Sequence, residues 1–262
     1  MSVASDLAAA SVAAVDLSSL PPQGTLLGAV QPTAPAAAAA QQDGTESATV
    51  VGNSLTSFTA YVSAQHKDDL NNSLALAQLM AVKEGHDPTA DPIGYYTYVQ
   101  TFLQQIGYTG QNISFGDYTA STATVQIDQV VLEILGAILA PAELGIVEAA
   151  VKALQGSADS GGAPWSIYSS SSTSNNAGTF AVGLANETNG SVALQVGAFT
   201  FSGTETSTKF LWMSYSATSV HIKNGSTQLS LNDAVYAGVR ASVQQKIASH
   251  AASYIANLPD LG

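Results

Sequence analysis

The 262-residue sequence predicts an α+β protein of three layers, α/β/α, in which a central antiparallel sheet is covered on both faces by helices. Three observations lead there. Apolar residues recur at helical spacing from about residue 68 to 156, the periodicity changes to two between 165 and 231, and the central strands are apolar front and back.

In chain order, residues 1–45 are low-complexity runs of Ala, Ser, Pro and Gln, including Pro21-Pro22 and five alanines after Pro35. Such a segment has little to bury, so a flexible leader is expected, followed by a single domain over 46–262. Alanine propensity permits a short helix over 7–15, but that length is marginal without tertiary support, and a solvated tail is favoured. Leu70, Leu74, Leu76, Leu79, Met80 and Val82 mark the first strong helix, stopped at Gly85. A second begins with Asp91 as N-cap and Pro92 at N1, carries the stripe Tyr95, Val99, Phe102, Leu103 and Ile106, and ends at Gly107. An extended piece over 113–118 precedes a helical hairpin. Its first arm, 125–139, is apolar around most of its girth and must be buried on several sides; Pro141 opens the second arm, which runs to Leu154.

Beyond a Ser/Gly-rich connection, strands are expected at 165–168, 179–185, 191–201, 207–217, 220–223 and 227–231. Asn189-Gly190, Ser202-Gly203 and Asn224-Gly225 supply the positive-φ residues that tight hairpins need, and Asn232 caps a final helix reaching about Asn257. Within 191–201, Val192, Leu194, Val196 and Ala198 share one face while Ala193, Phe199 and Phe201 share the other. Within 207–217, Phe210 and Trp212 oppose Leu211, Met213 and Tyr215. A sheet with one wet side would alternate cleanly, so helices must cover both sides. Burying each Phe, Leu or Val is worth about 1.5–3 kcal/mol, which forbids exposing either face to water but not to hydrocarbon.

Charged residues make up 10% of the chain against 46% apolar ones, so a globular protein is expected rather than a disordered one. Seven cations against 19 acids give a net charge of -12, which repels polyanions and removes nucleic acid as a partner. The absence of cysteine excludes disulfide frameworks, thiolate zinc sites and cysteine nucleophiles. No cation precedes Lys67, so neither a secretory signal nor an Arg-rich presequence is expected. A cytoplasmic location in the producing cell follows, with release to act at target membranes. Residues 130–154 are long enough to span a bilayer, but Glu133, Pro141, Glu143 and Glu148 interrupt them.

No H-E-x-x-H, G-x-S-x-G, Walker A or Rossmann glycine signature occurs. Ser219 and His221, two apart on a strand, point in parallel rather than converging. Asp87 and Asp91 lack the further acids of a calcium loop, which favours helix-cap duty for Asp91. No catalytic residue, cofactor or metal ligand is predicted, and the chain is expected not to be an enzyme. The candidate functional residues are instead Val192, Leu194, Val196, Phe199, Phe201, Phe210, Leu211, Trp212, Met213 and Tyr215, as membrane-interacting positions. They sit on two expected strands whose length matches the roughly 9–11 residues of a tilted strand crossing hydrocarbon.

The element order over 57–258 resembles the cytolytic delta-endotoxin (Cyt) and volvatoxin-like family. The stretch from Val130-Val131-Leu132-Glu133-Ile134-Leu135 to Ile146-Val147-Glu148-Ala149-Ala150-Val151 looks like that family's third and fourth helices. Val196-Gly197-Ala198-Phe199-Thr200-Phe201 and Phe210-Leu211-Trp212-Met213-Ser214-Tyr215 are similar to its long paired strands. The resemblance implies helical layers that move off the sheet, a lipid bilayer or membrane receptor as partner, and self-association into pores or bilayer disruption. It also implies proteolysis of terminal segments, although trypsin-type cleavage has no site ahead of Lys67. The acidic balance asks for a zwitterionic surface, a receptor or low pH. The alternative is a non-lytic interaction protein or secretion-associated cargo of the same fold, docking a partner through its leader.

Overall fold

The computed structural model describes residues 3–20, 27–30, 44–174, 177–203 and 209–256, with 27–30, 174 and 253–256 followed by backbone alone. Its elements run α1 (Val3–Ala13), β1 (Leu27–Val30), β2 (Ser47–Val51), β3 (Ser54–Phe58), α2 (Ala64–Lys83), α3 (Pro92–Gln105), β4 (Tyr108–Gly110), β5 (Ser114–Asp117), β6 (Thr124–Gln126) and α4 (Ile127–Gly136). There follow α5 (Pro141–Ser160), α6 (Ala163–Ser172), β7 (Thr173–Ser174), β8 (Ala177–Thr188), β9 (Ser191–Gly203), β10 (Ser214–Ser216), β11 (Val220–Leu231), α7 (Asp233–Tyr236) and α8 (Arg240–Ala256).

The expected start signals act as read. Asp91 accepts a hydrogen bond from the Gly94 N–H at 3.1 Å to cap α3, and Asn232 accepts from the Val235 N–H at 3.3 Å to cap α7. The long final helix is broken after α7 and resumes at Arg240; its expected end at Asn257 lies outside the described residues. The main sheet has the order β1-β2-β3-β8-β9-β11-β4, with β5 also on β11 and β7 on β8, while β6 and β10 form a separate pair. Asn189 (φ 53°) and Gly190 (φ 73°) make the tight turn that sets the β8–β9 register, in which Phe180 faces Phe199 and Ala181 faces Ala198.

The three-layer α+β architecture holds, with helices on both faces of the sheet. The pairing differs from expectation: β3 runs parallel to β8, so the sheet is mixed rather than wholly antiparallel. A parallel neighbour needs a long crossover, and the helices between residues 64 and 172 provide it. Asn224-Gly225 makes no turn either. It lies inside the continuous strand β11, where a Cβ on Gly225 would meet the Ser114 carbonyl oxygen at 2.8 Å and the Ile113 side chain at 2.9 Å. Glycine is there for close approach of β5.

Residues 165–168 are helical, not extended. Gly161 (φ 69°) closes α5, Pro164 opens α6, and Trp165, Tyr168 and Ser172 fall on its one buried face. The expected strand over 207–217 is a 3-10 turn at Phe210–Trp212 followed by the short β10; positions 207 and 208 of it lie outside the described residues. The described parts of the expected leader also depart from a free tail. Ala8, Val12, Val15 and Leu17 are buried in the core shared with α2, α3 and α8, and β1 adds to the edge of the sheet on β2. Tertiary burial supplies what a helix of this length lacks alone. Residues 31–43 lie outside the described residues.

Two separate cores flank the sheet. The first gathers α1, α2, α3 and α8 against Ala181, Ala185, Val192, Leu194, Ala198, Leu229 and Leu231. The second gathers α4, α5 and α6 against Phe180, Val182, Leu184, Phe199, Phe201, Val220 and Ile222. Successive residues of β8 alternate between them, as period-two geometry requires.

Candidate functional site: the two covered faces of the sheet

The sequence places the function on doubly apolar strands, and the site is therefore the pair of interfaces between sheet and helices. Val192 and Leu194 are buried in the first core, with Val196 packed at its margin. Phe199 and Phe201 are buried in the second core, from the other side of the same strand. Phe210, Leu211 and Tyr215 are buried there too, and Trp212 and Met213 pack against it. The ten candidates thus divide between two interfaces. The last five reach theirs from the 3-10 turn and β10 rather than from a long strand.

Phe210 is the hub of the second interface. Its ring centroid lies 5.2 Å from Phe201, 5.4 Å from Phe180, 5.7 Å from Trp165 and 6.3 Å from Tyr168, so one side chain joins β8, β9 and α6. Trp165 and Trp212 lie 4.9 Å apart, and Phe180 stacks on Phe199 at 5.3 Å. Phe180, Leu184 and Ile222 belong to the site but were not among the expected residues; the alternation of their own strands is the signal that identifies them. Burial raises the Tyr168 phenol well above its ordinary value, so it stays neutral and donates to the Ala181 carbonyl at 3.5 Å.

The first interface adds buried side-chain amide hydrogen bonds to its apolar core. Gln78 on α2 donates to the Val51 carbonyl and to Ser54 Oγ, each at 3.0 Å, both bonds buried. Gln100 on α3 donates to the Gln111 carbonyl and accepts from the Ile113 N–H at 2.7 Å. At the end of this interface a charged cluster joins α2, the β8–β9 hairpin and α8. His66 Nδ1 lies 2.9 Å from Glu187, while Asp69 and Asp233 both meet the Arg240 guanidinium, at 2.8 and 2.6 Å. Burial pushes the Glu187 carboxyl up, but the Ser63 N–H and His66 outweigh it and hold the group below its ordinary value. Arg240 is raised further, chiefly by its hydrogen bonds to Asp69. No spacing rule links residues 66, 69, 187, 233 and 240, so the cluster was invisible in the sequence.

Ligand atoms of His66, Asp69 and Asp233 come within 4.8 Å of one another, the spacing of a cation site. Arg240 already brings the positive charge to both carboxylates, which makes the trio a salt-bridge node. No described helix is long and apolar enough to cross a membrane.

Neither a protein-family model nor a curated protein matches the chain. Among solved structures, a delta-endotoxin is similar at 14% identity, covering 76% of this chain and 90% of that one, with a TM-score of 0.42. The activated Cyt2Ba monomer from Bacillus thuringiensis subsp. israelensis is similar at 12% identity, covering 68% and 96%, with a TM-score of 0.37. The Evf virulence factor is similar at 10% identity, covering 75% and 76%, with a TM-score of 0.35.

Proposed function

We propose that the chain is a membrane-active, toxin-like, non-enzymatic protein of the cytolytic delta-endotoxin kind, in which helices leave the sheet and lipid takes their place. One observation carries this reading: a single sheet is apolar on both faces and is shielded on each by a helical layer with its own core. In water those layers are indispensable, because uncovering a face would expose several large side chains at about 1.5–3 kcal/mol each. Hydrocarbon removes that penalty, and the central strand β9, whose backbone is paired along its length with β8 and β11, suits an apolar medium. Pore formation by several copies is the finer form of the proposal. Dye-loaded vesicles test it with the full chain: leakage from phosphatidylcholine vesicles supports the reading, and vesicles that stay sealed at neutral and acidic pH refute it.

A second reading, a non-lytic interaction protein, draws on α1, which buries Ala8 and Val12 but leaves Val3 and Leu7 exposed. A pull-down with the full chain and with a Val3→Ser, Leu7→Ser variant tests it; capture of one defined partner by the first alone supports docking through this helix.

A further inference from the structure

We infer that lipid replaces only one of the two lids: the membrane-facing surface is the aromatic face of the sheet under α4, α5 and α6, while α2, α3 and α8 stay in place. The inference rests on the membrane-active reading above and specifies which interface opens. It follows from how each lid is attached. Hydrocarbon substitutes for apolar contact at no cost, but it offers nothing to a hydrogen-bonding group left behind. The layer that lipid can replace is therefore the one whose departure strands the fewest polar atoms.

Under α2 and α3 the sheet presents Ser54, which accepts from Gln78, and Thr227, which lies beside Gln100. Gln78 and Gln100 also donate buried or partly buried bonds to the Val51 and Gln111 carbonyls, and Gln100 accepts one from the Ile113 N–H. Asp69, almost fully buried on α2, shares the Arg240 guanidinium with Asp233, and His66 and the Ser63 N–H both meet Glu187 at the end of β8. Stripping this layer off in hydrocarbon would break the His66–Glu187 pair and leave amides unpaired.

The face under α4–α6 is dominated by Leu55, Phe180, Val182, Leu184, Phe199, Phe201 and Ile222. Among the described residues, its polar ties to those helices lie mostly at the rim: Tyr118 Oη to Glu133 Oε2 at 2.7 Å, solvent-exposed, Asn186 Nδ2 to Glu143 Oε1 at 3.3 Å, Gln195 Nε2 to the Ile138 carbonyl at 3.4 Å, and Tyr168 to the Ala181 carbonyl at 3.5 Å. The last three are long, and the first already faces water. Ser57 Oγ, a buried hydroxyl on β3, has no hydrogen-bond partner even with the lid closed, so opening strands nothing further there. Phe199 and Phe201 thus belong to the lipid-facing set, whereas Val192, Leu194 and Val196 keep their protein cover.

Hydrogen exchange read by mass spectrometry tests this on the full chain. In solution, with guanidinium below the unfolding transition, amides of α4–α6 should exchange at least about 10-fold faster than those of α2, α3 and α8, because the weaker layer opens first. Opening of α2, α3 and α8 first, or of both layers in one step, overturns the assignment. On phosphatidylcholine vesicles that leak, protection should be lost in α4–α6 alone; loss in α2, α3 and α8 overturns the inference and leaves the membrane-active reading standing. Vesicles that neither bind the protein nor leak overturn lipid as the replacement and the membrane-active reading with it, while the order of opening in solution still reports separately which lid is held.

Discussion

Arg240 grips Asp69 side-on: Nε lies 2.9 Å from Oδ1 and Nη2 2.8 Å from Oδ2, and the carboxylate it holds is 1% exposed. Fork-to-fork pairing of this kind fixes geometry as well as charge, and here it fastens α8 to α2 on one side of the sheet. Removing the cation strands a buried charge, so Arg240→Met is expected to cost about 3–5 kcal/mol in denaturant unfolding, while Asp69→Asn with Arg240→Met should cost less than Arg240→Met alone. A double-variant loss equal to the sum of the two single losses would show that the pair is not coupled.

Phe210→Ala should destabilise by about 3–5 kcal/mol, the range for deleting a large buried aromatic ring, because its ring touches three elements at once. A guanidinium midpoint shifted by under 1 kcal/mol equivalent would remove Phe210 from the core, since that is the scale of surface substitutions.

Acid should act on the two layers with opposite sign. Glu187 has a depressed folded pKa, so its contribution is present above the ordinary value of 4.5 and is lost as pH falls through the folded value. Glu187→Gln should therefore flatten the acid limb of the stability curve. Asp128, at the start of α4, is raised above 3.8 by burial, so its contribution is present below that value and is lost as pH rises through the folded pKa. Asp128→Asn should accordingly slow the opening of α4 at neutral pH relative to wild type, read as hydrogen exchange against pH. An unchanged exchange profile in both variants would contradict the assignment.

Gly225→Val should break the pairing of β5 with β11, because its Cβ would meet the Ser114 carbonyl at 2.8 Å. A loss of about 1–3 kcal/mol is expected, with new exchange confined to 114–117 at first. Unaltered protection of β5 would show that the strand has room to shift.

The helices of the sheet's covers were legible where their stripes hold large side chains. Tyr95, Val99, Phe102 and Leu103 announce α3 and become its buried face. The α6 helix was not, and α1 was legible only as a short helix that alanine permits, since Ala8, Val12 and the serines around Trp165 carry little periodic signal and fold only against a partner. Strands β2 and β3 escaped notice because Ser54, Thr56 and Ser57 read as loop residues, although all three are buried, with Ser54 held by Gln78. The two-sided apolar character of β9 was plain from Val192, Leu194, Phe199 and Phe201, since alternation separates the two faces without further information. What alternation does not carry is which face holds polar anchors, for Gln78, Gln100 and Arg240 come from distant segments.

The chain has two tryptophans, Trp165 and Trp212, and both pack in the second core. Fluorescence of a Trp165→Phe variant on vesicles of phosphatidylcholine brominated along its acyl chains reports whether hydrocarbon reaches the aromatic face. Strong quenching of Trp212 in the bound protein, with none in solution, is the predicted result; bound protein whose Trp212 emission is untouched by bromine would contradict the exchange of helix for lipid.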